Sequence, residues 1–312
     1  MSRVGVIDLG SNSLKLLVAD GPGVTLVRRA TADVRLFPAK GTRLEADAVA
    51  AAVEAVRALA TQAGEAGATR LAVVGTSALR EAPNRAEFAD ALQAATGLPL
   101  TLLSGEVEAR LALDGMRTDP SLAGVADFVG FDLGGGSLEL GRVIGGRCVQ
   151  AFSLPLGAVR LTRLVLGDGS RPLTAEDLAS LREQVLAGVA SRIPAGAARL
   201  CPLVASGGAL STLLEMQRAA GDPDTGSNLG ILAVRNWLAR LSALDLEGRR
   251  RLPGVPSARA DILPAALATV AALAEHLGAE NLQVSHHGLR QGVAALLLTD
   301  AADLLFAEPA LG

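Results

Sequence analysis

Aromatic residues are scarce in this sequence: its 312 residues include no tyrosine, one tryptophan and six phenylalanines. Proteins that grip single-stranded nucleic acid stack its bases on aromatic side chains, so this scarcity argues against that class. The net charge is −3, with 29 basic against 32 acidic residues, and it provides no general attraction for a polyanion. We therefore expect no nucleic acid among the partners.

Cysteine and long apolar runs are also scarce. Cys148 and Cys201, the two cysteines, are far apart in the sequence, which argues against a disulfide framework. Hydrophobic residues make up 50% of the chain, yet no apolar run reaches the roughly 18 residues of a membrane span. The N-terminus has no basic segment that leads into an apolar one. These absences predict a cytoplasmic protein without a membrane partner.

The most informative feature that is present is a short motif that occurs twice. Residues 8–16 read DLGSNSLKL, and residues 132–140 read DLGGGSLEL. Each copy follows an apolar run and leads into a second one that ends in glycines, which is typical of strand, turn and strand. The repeat predicts two related half-structures whose turns face each other and form a two-sided clamp for phosphate.

The rest of the chain alternates between short apolar strands and longer helical segments, which indicates an α/β fold. Residues 118–120, Thr-Asp-Pro, interrupt this pattern just before the second copy begins. We therefore place residues 1–120 in a first domain and residues 121–288 in a second. No low-complexity linker separates the halves, so we expect them to pack closely with a cleft between them. The arginine triplet at 249–251 is predicted to be a solvated loop.

Both glycine loops have the properties of a phosphate site. The backbone N–H groups of such a turn can point at an anion, and glycine permits its close approach. Serine and asparagine side chains add further donors. The loop residues that we assign to phosphate are Gly10, Ser11, Asn12, Ser13, Gly134, Gly135, Gly136 and Ser137. An ordinary hairpin turn would explain one copy alone, whereas two copies that each begin with aspartate favour a phosphate and metal site.

The two copies differ at one charged position, where Lys15 in the first corresponds to Glu139 in the second. A cation suits phosphate, and we assign Lys15 to it. Carboxylates are hard oxygen ligands of the kind that Mg²⁺ accepts, with water and phosphate completing its octahedron. We assign Asp8, Asp132 and Glu139 to the metal. The alternative for Lys15 and Glu139 is an exposed position on a strand.

Three further segments place polar groups at helix starts or strand ends. Residues 104–110, SGEVEAR, begin a helix whose first-turn carboxylates either complement the helix dipole or include a general base. Arg80 follows a strand-exit loop and suits an anion, although an arginine there is more often simply exposed. Gly207 and Gly208 open another helix, whose N-terminus can bind phosphate.

Together these residues resemble the exopolyphosphatase/guanosine pentaphosphate phosphohydrolase (Ppx/GppA) family of the actin, Hsp70 and sugar-kinase superfamily. The resemblance runs from residue 7 to about residue 293. The motifs that carry it, in the family's order and spacing, are DLGSNS at 8–13, GTSALR at 75–80, SGEVEAR at 104–110, DLGGGSLE at 132–139, SGG at 206–208 and SHHGLRQG at 285–292. It implies two ribonuclease-H-like (actin-like ATPase) domains with an interdomain cleft, and a final helix, about 289–306, that packs on the first domain.

The resemblance also implies an activity. The expected reaction is Mg²⁺-dependent hydrolysis of the terminal phosphoanhydride of polyphosphate, or of a guanosine pentaphosphate alarmone, with Mn²⁺ as an alternative ion. A homodimer is implied as well. By alignment, Glu108 falls on the catalytic carboxylate and Arg80 on a phosphate-binding arginine. Asp132 and Glu139 fall on metal-linked positions.

The chain departs from the family pattern at Val107, where an acidic residue is usual, and at Gln291, where glutamate is usual. These departures keep open a second class of function, a non-enzymatic sensor that binds alarmone or polyphosphate. A third alternative is a kinase that transfers phosphate to a small acceptor. Longer relatives carry a C-terminal helical domain that we do not expect within these 312 residues, and on that basis we expect a preference for short polyphosphates.

Overall fold

The computed structural model of the chain describes residues 2–21, 23–38, 42–222 and 226–299. Contacts between residues divide the chain into two units. Unit 1 consists of Met1–Pro120 and His287–Gly312, and unit 2 consists of Ser121–His286. Each unit contains one mixed β-sheet together with several helices. The α/β class that the alternating pattern predicted is therefore confirmed.

The described residues form eleven strands and eleven α-helices, besides four short helical turns of other types. The strands are β1 (Arg3–Leu9), β2 (Leu14–Asp20), β3 (Thr25–Ala32), β4 (Arg70–Gly75), β5 (Leu100–Leu102), β6 (Phe128–Leu133), β7 (Leu138–Ile144), β8 (Arg147–Leu154), β9 (Leu203–Ser206), β10 (Asn228–Gly230) and β11 (Asn281–Val284). The helices are α1 (Ala46–Glu65), α2 (Ser77–Glu81), α3 (Arg85–Thr96), α4 (Gly105–Met116), α5 (Ala158–Leu161), α6 (Ala175–Val189), α7 (Gly208–Ala219), α8 (Ile231–Ser242), α9 (Leu246–Arg250), α10 (Leu263–Leu277) and α11 (Leu289–Leu297).

The two sheets repeat one topology. In unit 1 the strand order is β3-β2-β1-β4-β5. The pairs β3–β2 and β2–β1 are antiparallel, and the pairs β1–β4 and β4–β5 are parallel. In unit 2 the strands β8-β7-β6-β9-β11 follow the same order and the same directions. An additional strand, β10, pairs antiparallel with β11 at the edge. The duplication that the short motif indicated therefore extends over five strands of each unit.

The sheet of unit 1 is covered by helices on both faces. Ile7 and Leu9 of β1 belong to one apolar cluster, which includes residues of α1 and α3. Val4 and Val6 of the same strand belong to another cluster, which includes residues of α4 and α11. Because successive side chains of a strand point to opposite faces, β1 is buried on both sides. This central strand carries the first motif copy at its carboxyl end.

Helices α4 and α11 approach each other through their backbones. A Cβ atom on Gly115 of α4 would lie 1.9 Å from the carbonyl oxygen of Gly288. A Cβ atom on Gly292 of α11 would lie equally close, at 1.9 Å, to the carbonyl oxygen of Leu111. Only glycine permits these contacts. Helix α11 therefore fixes the position of α4, which carries Glu108.

Helix α11 is shorter than the predicted stretch of about 289–306. It ends at Leu297, and Thr299 donates a backbone hydrogen bond of 3.1 Å to the carbonyl of Leu296, which closes a tight turn. Residues 300–306 of the predicted helix lie outside the described residues. Gln291, one of the departures from the family pattern, is buried in the first turn, where its Oε1 accepts from the Gly288 N–H at 3.1 Å. An amide oxygen performs this capping role as a carboxylate would.

The prediction of a solvated loop at the arginine triplet is wrong for Arg249, whereas Arg250 and Arg251 are exposed. Arg249 lies in α9 and is fully buried, with 0% of its surface exposed. Its guanidinium donates at 2.6–2.9 Å to the backbone carbonyls of Leu241, Gly169 and Arg171. Desolvation lowers the pKa of Arg249, and the nearby Asp245 and Asp261 oppose that change. Sequence pattern alone treats the three arginines alike, because the carbonyls that select one of them come from distant parts of the chain.

Of the helices in the described ranges, none combines the length and the apolar character that crossing a lipid bilayer requires.

Candidate active site

The two motif copies form two hairpins with the same register. Asp8 pairs with Lys15 across β1 and β2, and Asp132 pairs with Glu139 across β6 and β7. Residues directly opposite each other in an antiparallel pair project from the same face of the sheet. Each hairpin is therefore closed by a short loop that begins beside a pair of charged side chains. We call residues 10–13 loop 1 and residues 134–137 loop 2.

The charged pair of unit 2 consists of two carboxylates. Glu139 is buried, with 4% of its surface exposed, and its Oε1 accepts a hydrogen bond of 2.8 Å from Ser153 on β8. Like charges directly opposite each other in a sheet repel. A divalent cation bound by both carboxylates would offset that repulsion, and Mg²⁺ commonly takes one or two protein carboxylates while water and substrate phosphate supply its other ligands. The pair Asp132 and Glu139 therefore fits the metal that the family resemblance implies.

Asp8, the third residue assigned to the metal, belongs to unit 1, where its cross-strand partner is Lys15. Within the described ranges, no three or more histidine, cysteine, aspartate or glutamate side chains are grouped so that they could hold a metal ion. The assignment of Asp8 to the metal stays a prediction from the sequence.

Loop 2 turns its carbonyl groups towards the start of α5. The carbonyl of Gly134 accepts from the N–H of Ala158 at 3.0 Å, and that of Gly135 accepts from the N–H groups of Val159 and Arg160 at 2.8 and 3.2 Å. In a trans peptide the carbonyl and the following N–H point in opposite directions. The N–H groups of Gly135 and Gly136 therefore point away from α5. Successive N–H groups on one side of a turn can form a site for an anion, and the assignment of loop 2 to phosphate stays a prediction.

The close contact between loop 2 and α5 depends on Gly157. A Cβ atom at this position would lie 2.4 Å from backbone atoms of Gly135 and Gly136. Distances of that size are far below van der Waals contact, so any larger residue must displace one of the two segments. Gly157 was not identified from the sequence, because a single glycine before a helix carries no distinctive signal.

Glu108 is the buried carboxylate of the helix that begins with Ser104. The Ser104 side chain caps α4 by accepting from the Val107 N–H at 3.3 Å. Glu108 is 5% exposed, whereas the side chain of Glu106 in the same turn is 76% exposed. Interaction with the helix dipole accounts for an exposed carboxylate, but burial of Glu108 requires a specific partner. The structure therefore separates the two first-turn carboxylates, which the helix-start pattern by itself left equivalent.

The partner of Glu108 is Arg80. Its Nη1 donates to the Glu108 carboxylate at 2.8 Å and to the backbone carbonyl of Leu103 at 2.9 Å. A guanidinium carries five N–H donors, so this ion pair does not exhaust the capacity of Arg80 to bind phosphate oxygens. Val107 is half-buried against the apolar cluster that includes α4 and α11. Valine thus replaces the family's usual acidic residue at position 107, where the side chain packs against apolar neighbours.

The turn between β9 and α7 contains the remaining predicted residues, Gly207 and Gly208. Ser206, which precedes them, is 4% exposed, and its Oγ has no hydrogen-bond partner in the part of the chain that the structure describes. Arg259, which sequence reasoning missed, donates from Nη1 to the carbonyl of Gly208 at 2.7 Å and to Thr212 Oγ1 at 2.8 Å. A buried hydroxyl and a guanidinium at this helix start suit an anion.

The sequence of the chain is similar to known phosphatases over most of its length. The model of the Ppx/GppA phosphatase family matches residues 16–300. Exopolyphosphatase 1 of Mycobacterium tuberculosis is 30% identical over 96% of this chain and 90% of its own length. An uncharacterized protein of Streptomyces coelicolor is 33% identical over 83% of this chain and 79% of its own.

Solved structures show the same fold. The crystal structure of an exopolyphosphatase from Cytophaga hutchinsonii superposes with a TM-score of 0.84 at 20% identity, covering 95% of this chain and 98% of that one. The PPX-GPPA enzyme of Aquifex aeolicus gives a TM-score of 0.76 at 26% identity, covering 94% and 99%. The expected fold of two ribonuclease-H-like sheets is confirmed.

We predict that Gly157→Ala weakens anion binding at loop 2. The added methyl group displaces loop 2 from α5, so its N–H groups no longer converge, and the dissociation constant for pyrophosphate should rise about 10-fold or more. Isothermal titration calorimetry measures it. The matched control is Gly64→Ala in α1, where a Cβ atom would meet nothing within 4 Å. Wild-type affinity in a folded Gly157→Ala protein would show that the loop does not bind the anion.

Proposed function

Because the chain belongs to the Ppx/GppA phosphatase family, we propose that it is an exopolyphosphatase that releases orthophosphate from the end of inorganic polyphosphate. The protein is a hydrolase acting on phosphoanhydride bonds. Polyphosphate as the substrate is supported by the mycobacterial relatives, which carry the name exopolyphosphatase 1.

One observation carries the proposal. In unit 2, the carboxylates of Asp132 and Glu139 stand opposite each other at the strand ends where loop 2 begins, and the carbonyls of that loop are turned towards α5. Hydrolysis of a phosphoanhydride needs groups that bind phosphate oxygens together with a cation that neutralises their charge. Within ten residues of sequence, the N–H groups of loop 2 can bind phosphate oxygens, and the adjacent carboxylate pair can hold the cation.

The proposed mechanism is direct attack of water on the terminal phosphorus. The carboxylate of Glu108 accepts a proton from water while the water oxygen forms the new bond to phosphorus. The bridging P–O bond breaks, orthophosphate is released, and the shortened chain leaves with the bridging oxygen. Loop 1, Lys15 and Arg80 in unit 1, and loop 2 in unit 2, are the groups that we assign to binding phosphate oxygens. Mg²⁺ held by Asp132 and Glu139, or Mn²⁺ in its place, would neutralise negative charge on the phosphates.

The main alternative substrate is guanosine pentaphosphate. Recognition of a guanine base commonly uses aromatic stacking, and this chain has one tryptophan, six phenylalanines and no tyrosine. Polyphosphate presents only phosphate oxygens, which N–H groups, lysine and arginine bind without any aromatic contact. This contrast favours polyphosphate.

The substrate is tested by measuring orthophosphate release from long-chain polyphosphate, tripolyphosphate, guanosine pentaphosphate and ATP, each with Mg²⁺ and with a chelator. We expect release from the polyphosphates with Mg²⁺ and its loss with the chelator. Release from guanosine pentaphosphate alone would identify the alternative substrate. Binding without any release would indicate a sensor, and transfer to an acceptor would indicate a kinase.

We predict that Glu108→Gln lowers kcat by about 10²–10⁴-fold, because glutamine keeps the shape of the side chain but cannot accept the proton. Steady-state phosphate release measures the effect, and calorimetry with pyrophosphate verifies that binding persists. The control is Glu106→Gln, which removes an exposed carboxylate from the same helical turn and should retain kcat within about two-fold. Similar rates for the two variants would contradict the assignment of the general base.

A further inference from the structure

Each phosphate loop is braced by the segment that follows the third strand of its sheet. We call residues 33–37, which follow β3, brace 1, and residues 155–160, which follow β8, brace 2. The strands β3 and β8 occupy the same edge position in the repeated topology. The two braces share only a Val-Arg pair, Val34-Arg35 in brace 1 and Val159-Arg160 in brace 2.

Brace 2 contacts loop 2 through backbone and side chain. In addition to the backbone hydrogen bonds that the carbonyls of Gly134 and Gly135 accept, Arg160 Nε donates to the carbonyl oxygen of Gly136 at 2.8 Å. With the Gly136 carbonyl fixed in this direction, the N–H of Ser137 points the opposite way. The arginine thus orients the last peptide of the glycine run.

Brace 1 contacts loop 1 at the equivalent positions. The carbonyl of Ser11 accepts from the Phe37 N–H at 3.0 Å, as that of Gly135 accepts from Val159. Arg35 Nε donates to Asn12 Oδ1 at 3.0 Å, and Asn12 is the loop 1 counterpart of Gly136. In each unit a brace therefore provides at least one backbone N–H to the carbonyl of the second loop residue and one arginine Nε to an oxygen of the third.

The contact with Arg35 determines how the Asn12 amide is oriented. A guanidinium has donors and no acceptor, so the Asn12 atom that faces it is the oxygen. The Nδ2 group of Asn12, with its two hydrogens, consequently points away from Arg35. This orientation presents a donor for phosphate, the role assigned to Asn12 from the sequence.

We propose that Arg35 and Arg160 are paired positioning residues, which hold loops 1 and 2 in the conformation that binds the terminal phosphates of the substrate. The proposal rests on the proposed function only for the identity of that substrate. Neither arginine needs to touch phosphate: Arg35 acts through the Asn12 amide, and Arg160 acts through the Gly136 peptide. The two loops bind phosphate through different donors, a side chain in one and backbone in the other, while the same arginine atom orients both.

The test is the affinity for methylenediphosphonate, a pair of linked phosphoryl groups that cannot be hydrolysed, measured by calorimetry. We expect Arg35→Met and Arg160→Met each to raise the dissociation constant about 10- to 100-fold, the range for a lost hydrogen bond to a charged group. The controls are Arg28→Met on β3 and Arg147→Met on β8, which remove one exposed positive charge from the strand before each brace. These controls should bind within about three-fold of the wild type.

A double variant separates positioning from a structural role. Because Arg35 acts through Asn12, adding Arg35→Met to Asn12→Ala should change the affinity by less than about two-fold beyond Asn12→Ala alone. A purely structural role would lower the melting temperature of Arg35→Met without this coupling. If a variant fails to fold, Arg35→Lys and Arg160→Lys replace it, with the same expected direction, because lysine lacks the planar Nε donor.

The proposal is overturned if both methionine variants bind methylenediphosphonate like their controls, or if the effects of Arg35→Met and Asn12→Ala add fully. Failure of the proposed function gives a different result. The wild type would then bind methylenediphosphonate with the predicted arginine dependence but release no orthophosphate from tripolyphosphate.

Discussion

The register of the β6–β7 hairpin is the constraint on which the rest of the site depends. Because Asp132 stands opposite Glu139, two carboxylates share one face of the sheet at the point where the glycine loop begins. A slip of one residue would move every side chain of the strand to the other face. The register is fixed by the apolar face opposite these carboxylates, on which Phe131, Leu133, Leu138 and Leu140 are at most 3% exposed. Apolar packing of the hairpin thus determines that the carboxylates of Asp132 and Glu139 lie side by side on the other face.

Duplication followed by divergence explains how one topology serves two roles. Unit 1 keeps an aspartate and a lysine at the paired positions, whereas unit 2 has two carboxylates. The surrounding supports also differ: Arg35 reaches a side chain, and Arg160 reaches a backbone carbonyl. Glu108 belongs to neither copy and depends instead on α4, which is held by the glycine contacts with α11 and by the ion pair with Arg80.

Sequence pattern predicted the features that local chemistry determines: the α/β class, both hairpins, and the helix that begins within residues 104–110. It could not identify interactions between distant segments that have no periodicity. Arg249 was assigned to a loop because its three carbonyl partners are not adjacent in sequence. Arg35, Gly157 and Arg259 were missed for the same reason. The metal, phosphate and catalytic roles of the predicted residues stay predictions, supported by burial, register and hydrogen bonding.

The central claim is that the new bond to water oxygen is formed at the terminal phosphorus, and the position of that oxygen in the products tests it most directly. Purified protein is incubated with tripolyphosphate and Mg²⁺ in ¹⁸O-labelled water, and the products are examined by ³¹P NMR, in which the heavy isotope shifts the phosphorus signal. The account predicts that the label enters only the released orthophosphate. Label in the end group of the remaining pyrophosphate would place the attack on the neighbouring phosphorus and contradict the mechanism.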